Sequence, residues 1–168
     1  MQANSRENNG IVIFFNEKQR KDKPNNIFMT AEIYISMGYS VIPVSGKVAT
    51  ITWKEYQQCR PASNKLRQWF IEDGYTGIAI ITGRISQLCV LDFDESKLYD
   101  LFKIEHPYLT QTKTVKTSRG YHLYFHVPPH LSLRSSKTPG IDLQYEGRYV
   151  VAPPSEGYKT IRGGAPKT

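Results

Sequence analysis

The chain has 168 residues, enough for one domain with its own core, and no apolar run in it approaches the ~20 residues that a membrane helix needs. Twenty-two Lys and Arg against fifteen Asp and Glu give a formal charge of +7, which suits a polyanionic partner without choosing between nucleic acid, nucleotide and anionic lipid; a plain solvated basic surface is the alternative. Cys59 and Cys89 are too few for a Cys-based zinc site, and the polar start Met1–Gly10 lacks the layout of a signal peptide, so a cytoplasmic protein with reduced thiols is expected.

In chain order, residues 1–26 read as a flexible leader interrupted by the apolar run Ile11–Phe15, either an added edge strand or a sticky peptide. Helical spacing of Ile27, Ala31, Tyr34 and Ile35 predicts a helix over Ile27–Met37, capped by Asn26 and stopped at Gly38. Tyr39–Val44 reads as a strand ending near Pro43. A second helix is predicted over Ser63–Phe70, with Leu66, Trp69 and Phe70 turned inward. Gly77–Thr82 and Leu88–Asp94 are strands, and Glu95–Ile104 a helix with Leu98, Leu101 and Phe102 inward. Thr112–Thr117 and Tyr121–Val127 form a hairpin around Ser118-Arg119-Gly120, and Ile141–Gln144 with Tyr149–Val151 forms another, turning at Glu146-Gly147. The mixture is α+β.

The stretch Val90-Leu91-Asp92-Phe93-Asp94 carries the strongest chemical signal. On a strand, alternate residues share a face, so Asp92 and Asp94 point one way while Leu91 and Phe93 pack behind. Two carboxylates roughly 5–7 Å apart repel by about a kcal/mol or more at an effective dielectric of about 20, and a divalent cation removes that cost. Alone, such a pair is often a solvated turn. Here it is followed by Lys116-Thr117-Ser118-Arg119-Gly120-Tyr121-His122, by Gly140-Ile141-Asp142-Leu143-Gln144, and by Tyr149–Ser155.

An acidic pair, a Ser-x-x-x-His strand and a third lone aspartate, in this order, resemble the primase-polymerase domain of the archaeo-eukaryotic primase superfamily. The resemblance runs over roughly Ile27 to Ser155, and Gly77–Gly83 and Met37–Val44 fit it too. It implies an RRM-like mixed sheet carrying the metal site, with a small N-terminal α/β module beside it. It implies a template-dependent nucleotidyltransferase, a DNA primase or polymerase, serving replication of a plasmid, phage or mobile element. Its cofactors would be two Mg²⁺ or Mn²⁺ ions, with no zinc expected; its partners, single-stranded DNA template and NTP or dNTP substrates, with no membrane.

Asp92, Asp94 and Asp142 are then the catalytic metal ligands, and Ser118 and His122 the nucleotide grip. Arg119 and Lys116 add positive charge, and backbone N–H groups near Gly120 offer an anion cradle. Residues 27–155 would be the catalytic domain and 156–168 a tail, a linker to a missing helicase or other replication module, with the whole at the nucleoid during replication.

Arg119 and Tyr121 flank Gly120 where related sequences have a more glycine-rich turn. Gln144 stands where many relatives carry arginine, and Arg148 replaces a glycine. The phosphate or template contact is thereby open to redistribution onto Arg148, with Lys47 a second candidate. His126 shares a strand face with His122 but lacks the His-x-His spacing of rolling-circle endonucleases. Two other functions stay open: a non-catalytic single-stranded-DNA-binding module of a replication initiator, and a metal-dependent nuclease.

Overall fold

The computed structural model describes residues 26–168; the Ile11–Phe15 run lies outside the described residues. Helix α1 (Asn26–Ser36) buries Ile27, Ala31 and Tyr34 at helical spacing. It ends at Gly38, whose φ of +86° is open to glycine at no steric cost. Strand β1 (Ser40–Ser45) turns at Gly46 into the short β2 (Val48–Ala49). Helix α2 (Ser63–Arg67) does not run on as α-helix to Phe70. It widens into a π turn over Gln68–Glu72, in which Asp73 N donates to Gln68 O. The extra residue in that turn lets the consecutive Trp69 and Phe70 both reach the core.

The remaining elements are β3 (Gly77–Ile81), β4 (Leu88–Phe93), α3 (Ser96–Glu105), β5 (Thr114–Lys116), β6 (Tyr121–His126), β7 (Ser136–Thr138), β8 (Ile141–Gln144), β9 (Tyr149–Ala152) and β10 (Lys159–Arg162). They form two sheets, a four-stranded one of order β2-β1-β3-β9 and a six-stranded one of order β10-β5-β6-β4-β8-β7. The class is α+β, as expected, but the expected mixed sheet is not seen: every pairing between these strands is antiparallel. The reason is the crossover β4–α3–β5. It returns the chain parallel to β4 one place away, and β6 inserts between the two, antiparallel to both.

Three further readings are revised. The segments Ile141–Gln144 and Tyr149–Val151 are not a hairpin: β8 pairs with β4 and β7, whereas β9 crosses to the other sheet and pairs with β3. The buried Tyr145 between them explains the crossing, because its carbonyl accepts from Thr82 Oγ1 at 2.6 Å while Thr82 N donates to Arg148 O at 3.1 Å. On α3 the residue turned inward beside Leu98 and Phe102 is Tyr99, stacked on Tyr121 at 4.0 Å, and Leu101 is exposed. Lys159–Arg162, inside the stretch read as a tail, adds the edge strand that pairs with β5.

The two faces of the six-stranded sheet are covered differently. Phe93, Leu91, Leu123 and Tyr121 pack under α3. On the opposite face Leu88, Val90, Val115 and Tyr124 join one continuous core with the four-stranded sheet and with α1 and α2 behind it. That cover reaches Val90 and stops; the next residue on the same face of β4 is Asp92, where a cleft opens. Among the described residues no helix is long and apolar enough to cross a membrane.

Candidate active site

Register positions the polar groups. Asp92 on β4 lies opposite His122 on β6 and opposite Asp142 on β8, and Asp142 lies opposite Lys137 on β7. Directly opposed residues of antiparallel strands project from one face with Cβ atoms roughly 4.5–5.5 Å apart. One row across four strands therefore reads Lys137, Asp142, Asp92, His122. Asp94 follows two residues after Asp92 on the same side, its backbone N–H bonded to Gly140 O at 2.9 Å.

Each carboxylate faces a basic group. His122 Nε2 is 3.3 Å from Asp92 Oδ1, Arg119 is 3.2 Å from Asp94 Oδ1, and Lys137 Nζ is 3.9 Å from Asp142 Oδ2. Burial on its own would raise the Asp92 pKa. The hydrogen bond and charge of His122, the charge of Lys47 and a hydrogen bond from Gln144 outweigh it and hold Asp92 below its ordinary 3.8. Asp92 is thus ionised throughout the neutral range. His122 itself is buried, its ring against Tyr158 and Tyr124 at 5.7 and 6.3 Å. Its Nδ1, and the hydroxyl of Tyr124 behind it, have no hydrogen-bond partner. The inner wall of the site therefore carries unused hydrogen-bonding capacity.

These groups line a cleft of about 350 Å³ between the two sheets. Asp92, Asp94, His122, Arg119, Lys47 and Arg148 all border it, so the two candidate contacts from the N-terminal half and from the Arg148 turn meet the acidic pair there. Asp142 shares the face through its register with Asp92, one strand further out.

Two sequence candidates lie apart. Lys116 pairs with Tyr121 on the α3 face, its ammonium 2.6 Å from Ser96 Oγ and 4.1 Å from the Tyr121 ring centroid. Ser118 is exposed on the turn and does not border the cleft. The expected anion cradle at Gly120 is also engaged: Gly120 N and Arg119 N both donate to Thr117 Oγ1, at 2.9 and 3.4 Å.

The structure adds Lys137, Gln144, Trp53, Tyr149 and Tyr158 to the lining. Lys137 stands between Val127 and Ile141, where the sequence assigns no element, and Tyr158 in the stretch read as a tail. Trp53 and Tyr149, whose rings meet edge-on at 5.1 Å, have no site role on sequence alone, which places Tyr149 only in a strand.

The donor chemistry fits hard divalent cations: three carboxylates at neighbouring positions of one face, supplying oxygen only. In the rotamers present they are turned to their basic neighbours, and among the described residues no three metal-binding side chains converge on one point.

Residues 31–166 match the Prim-Pol family, described as Bifunctional DNA primase/polymerase, N-terminal. No curated protein matches the chain. The family match spans most of the sequence, and the chain belongs to that family, an enzyme class that performs nucleotidyl transfer in DNA replication.

Proposed function

We propose that this Prim-Pol member is a template-dependent nucleotidyltransferase that adds nucleotides on single-stranded DNA, with Asp92, Asp94 and Asp142 as ligands of two Mg²⁺ or Mn²⁺ ions. The observation that carries the reading is the shared register of Asp142, Asp92 and His122, which brings residues from three strands to one face. When bound, such a cation pair neutralises developing charge on a triphosphate and favours ionisation of the attacking hydroxyl.

The chain's own residues do the rest. Asp92 stays ionised at neutral pH and is oriented by His122 and Gln144. Arg119 stands at the mouth beside Asp94, where a guanidinium can pair two phosphate oxygens. Lys47 and Arg148, on the other wall, draw a polyanion into the cleft. His122 and Tyr124 form a buried inner wall behind Asp92.

An RRM-like description of the six-stranded sheet belongs to this reading. Its support is the order β5-β6-β4-β8, in which a split β-α-β unit receives an antiparallel strand at its centre. In place of a second crossover helix, residues 127–140 here contribute β7.

The test is incorporation of labelled nucleotide on single-stranded DNA, with and without primer, in Mn²⁺, Mg²⁺ or chelator. Cation-dependent product that disappears in Asp92→Asn supports the proposal; product that persists in chelator overturns it. One observation favours a second reading, a DNA-binding module without catalysis: the turn amides that would cradle phosphate are bonded to Thr117. Salt-sensitive DNA binding with no nucleotide binding by calorimetry would mark that outcome.

A further inference from the structure

Lys137 belongs to no motif that the family resemblance supplied, yet its position is closely fixed. The turn from β7 to β8 is closed by a hydrogen bond from Thr138 Oγ1 to Ile141 O. Gly140 takes a φ of +82° there, where a Cβ would meet Leu98 Cδ1 at 2.2 Å. Another residue there would be strained by that φ and would have to displace the Leu98 side chain, and the hairpin register sets Lys137 opposite Asp142. The result is an opposed pair of unlike charge, 3.9 Å apart, with a Lys137 side chain that is 72% exposed and borders the cleft.

We propose that Lys137 is a built-in counter-ion for the carboxylate row: it neutralises Asp142 while the cation site is empty of metal, and is released toward the substrate's phosphates when a divalent cation takes Asp142. The inference rests on the reading of Asp142 as a metal ligand. The chain has a physical need for such a group. Asp142 and Asp92 are directly opposed, and without a cation between or beside them their charges repel across the strand pair. Asp92 has His122, Gln144 and Lys47 to hold it, and Asp94 has Arg119. Asp142 has Lys137.

With two divalent ions on the row, four positive charges would outweigh three carboxylates and turn the local field from negative to positive. That field then repels the ammonium, which sits on an exposed three-residue edge strand and swings on a flexible stem. The nearest negative charge left for it is a triphosphate in the same cleft. Lys137 is on this account a positioning residue that competes with the metal and cooperates with the nucleotide. A residue with only a structural role would move both affinities the same way or neither.

The experiment is Mn²⁺ titration of the whole chain, read by the electron paramagnetic resonance of free Mn²⁺, for wild type, Lys137→Met and Lys137→Arg. It is followed by calorimetry of a non-hydrolysable nucleoside triphosphate at saturating Mn²⁺. Loss of an exposed ion pair converts to Mn²⁺ binding about 1.5- to 5-fold tighter in Lys137→Met. Nucleotide binding should be weaker by about 3- to 10-fold, the worth of one charge-assisted contact. Lys137→Arg should stay near wild type in both.

Equal or weaker Mn²⁺ binding by Lys137→Met, with wild type binding normally, overturns the role of Lys137 alone. Failure of wild type to bind Mn²⁺ overturns the metal reading and this inference with it. Because Lys137 is exposed, loss of its ion pair should move the melting temperature by no more than about 4 °C, which separates either result from misfolding.

Discussion

Gly120 is the point at which the turn before His122 touches the strand that carries the carboxylates. A Cβ built there lies 1.7 Å from Phe93 O, 2.8 Å from Phe93 C and 3.0 Å from Glu95 N. All three atoms are backbone, so no side chain can swing aside. A carbon settles roughly 3.3 Å or more from a carbonyl oxygen, so Gly120→Ala must push the turn back by roughly 1.5 Å. That retreat strains the end of the β4–β6 ladder, where Phe93 pairs with Tyr121 and Asp92 with His122. Overpacking costs about 1–3 kcal/mol, and one or two weakened ladder hydrogen bonds about 1 kcal/mol each. The expected loss is roughly 2–5 kcal/mol, a fall in Tm of about 4–20 °C for a chain of this size. Thermal melting followed by circular dichroism reads it directly, and nucleotide incorporation should fall in step because the Asp92–His122 contact opens. A Gly120→Ala protein that melts within about 2 °C of wild type would refute the close approach from which this magnitude is worked.

Acid sensitivity follows from Asp92. Its folded pKa lies below 3.8, so its ionised form stabilises the fold above that value, and the contribution is lost as pH falls through the lower folded pKa. The stability gap between wild type and Asp92→Asn, from urea midpoints, should therefore be larger at neutral pH than in strong acid; a gap independent of pH would contradict the assignment. The two cations flanking the turn should separate by face. Lys116→Met, under α3, should lower stability while leaving incorporation within about 3-fold of wild type, whereas Arg119→Met should raise the nucleotide KM by about 10-fold or more. Equal effects of the two on KM would remove the distinction.

Much of the candidate site was legible because its logic is local. The alternation in Val90–Asp94 assigns Asp92 and Asp94 to one face and Phe93 to the other, and the structure sets Phe93 under α3. The Tyr121–His126 strand and its turn likewise follow from short-range pattern. What escaped depends on distant partners. Glu146-Gly147 has the composition of a hairpin turn, but Thr82 captures the Tyr145 carbonyl and sends β9 to the other sheet. Nothing near Lys159–Arg162 signals a strand, since all four residues are exposed and their pairing comes from the β5 edge. Lys116 and His122 share the same motif, yet lie on opposite faces because the turn between them fixes Lys116 opposite Tyr121 rather than His122. Lys137 is brought to the cleft by register alone.

The central claim is that Asp142 works with Asp92 and Asp94 as one set, and the most direct test is metal-dependent nucleotide incorporation by Asp142→Asn. The substitution keeps shape and removes charge, so the fold should persist by circular dichroism. Incorporation should fall by more than the about 10- to 100-fold typical of losing a group that only supports a ligand, reaching the level of Asp92→Asn. Incorporation within a few-fold of wild type would contradict the account, leaving Asp142 as a charged neighbour of Lys137 with no part in the chemistry.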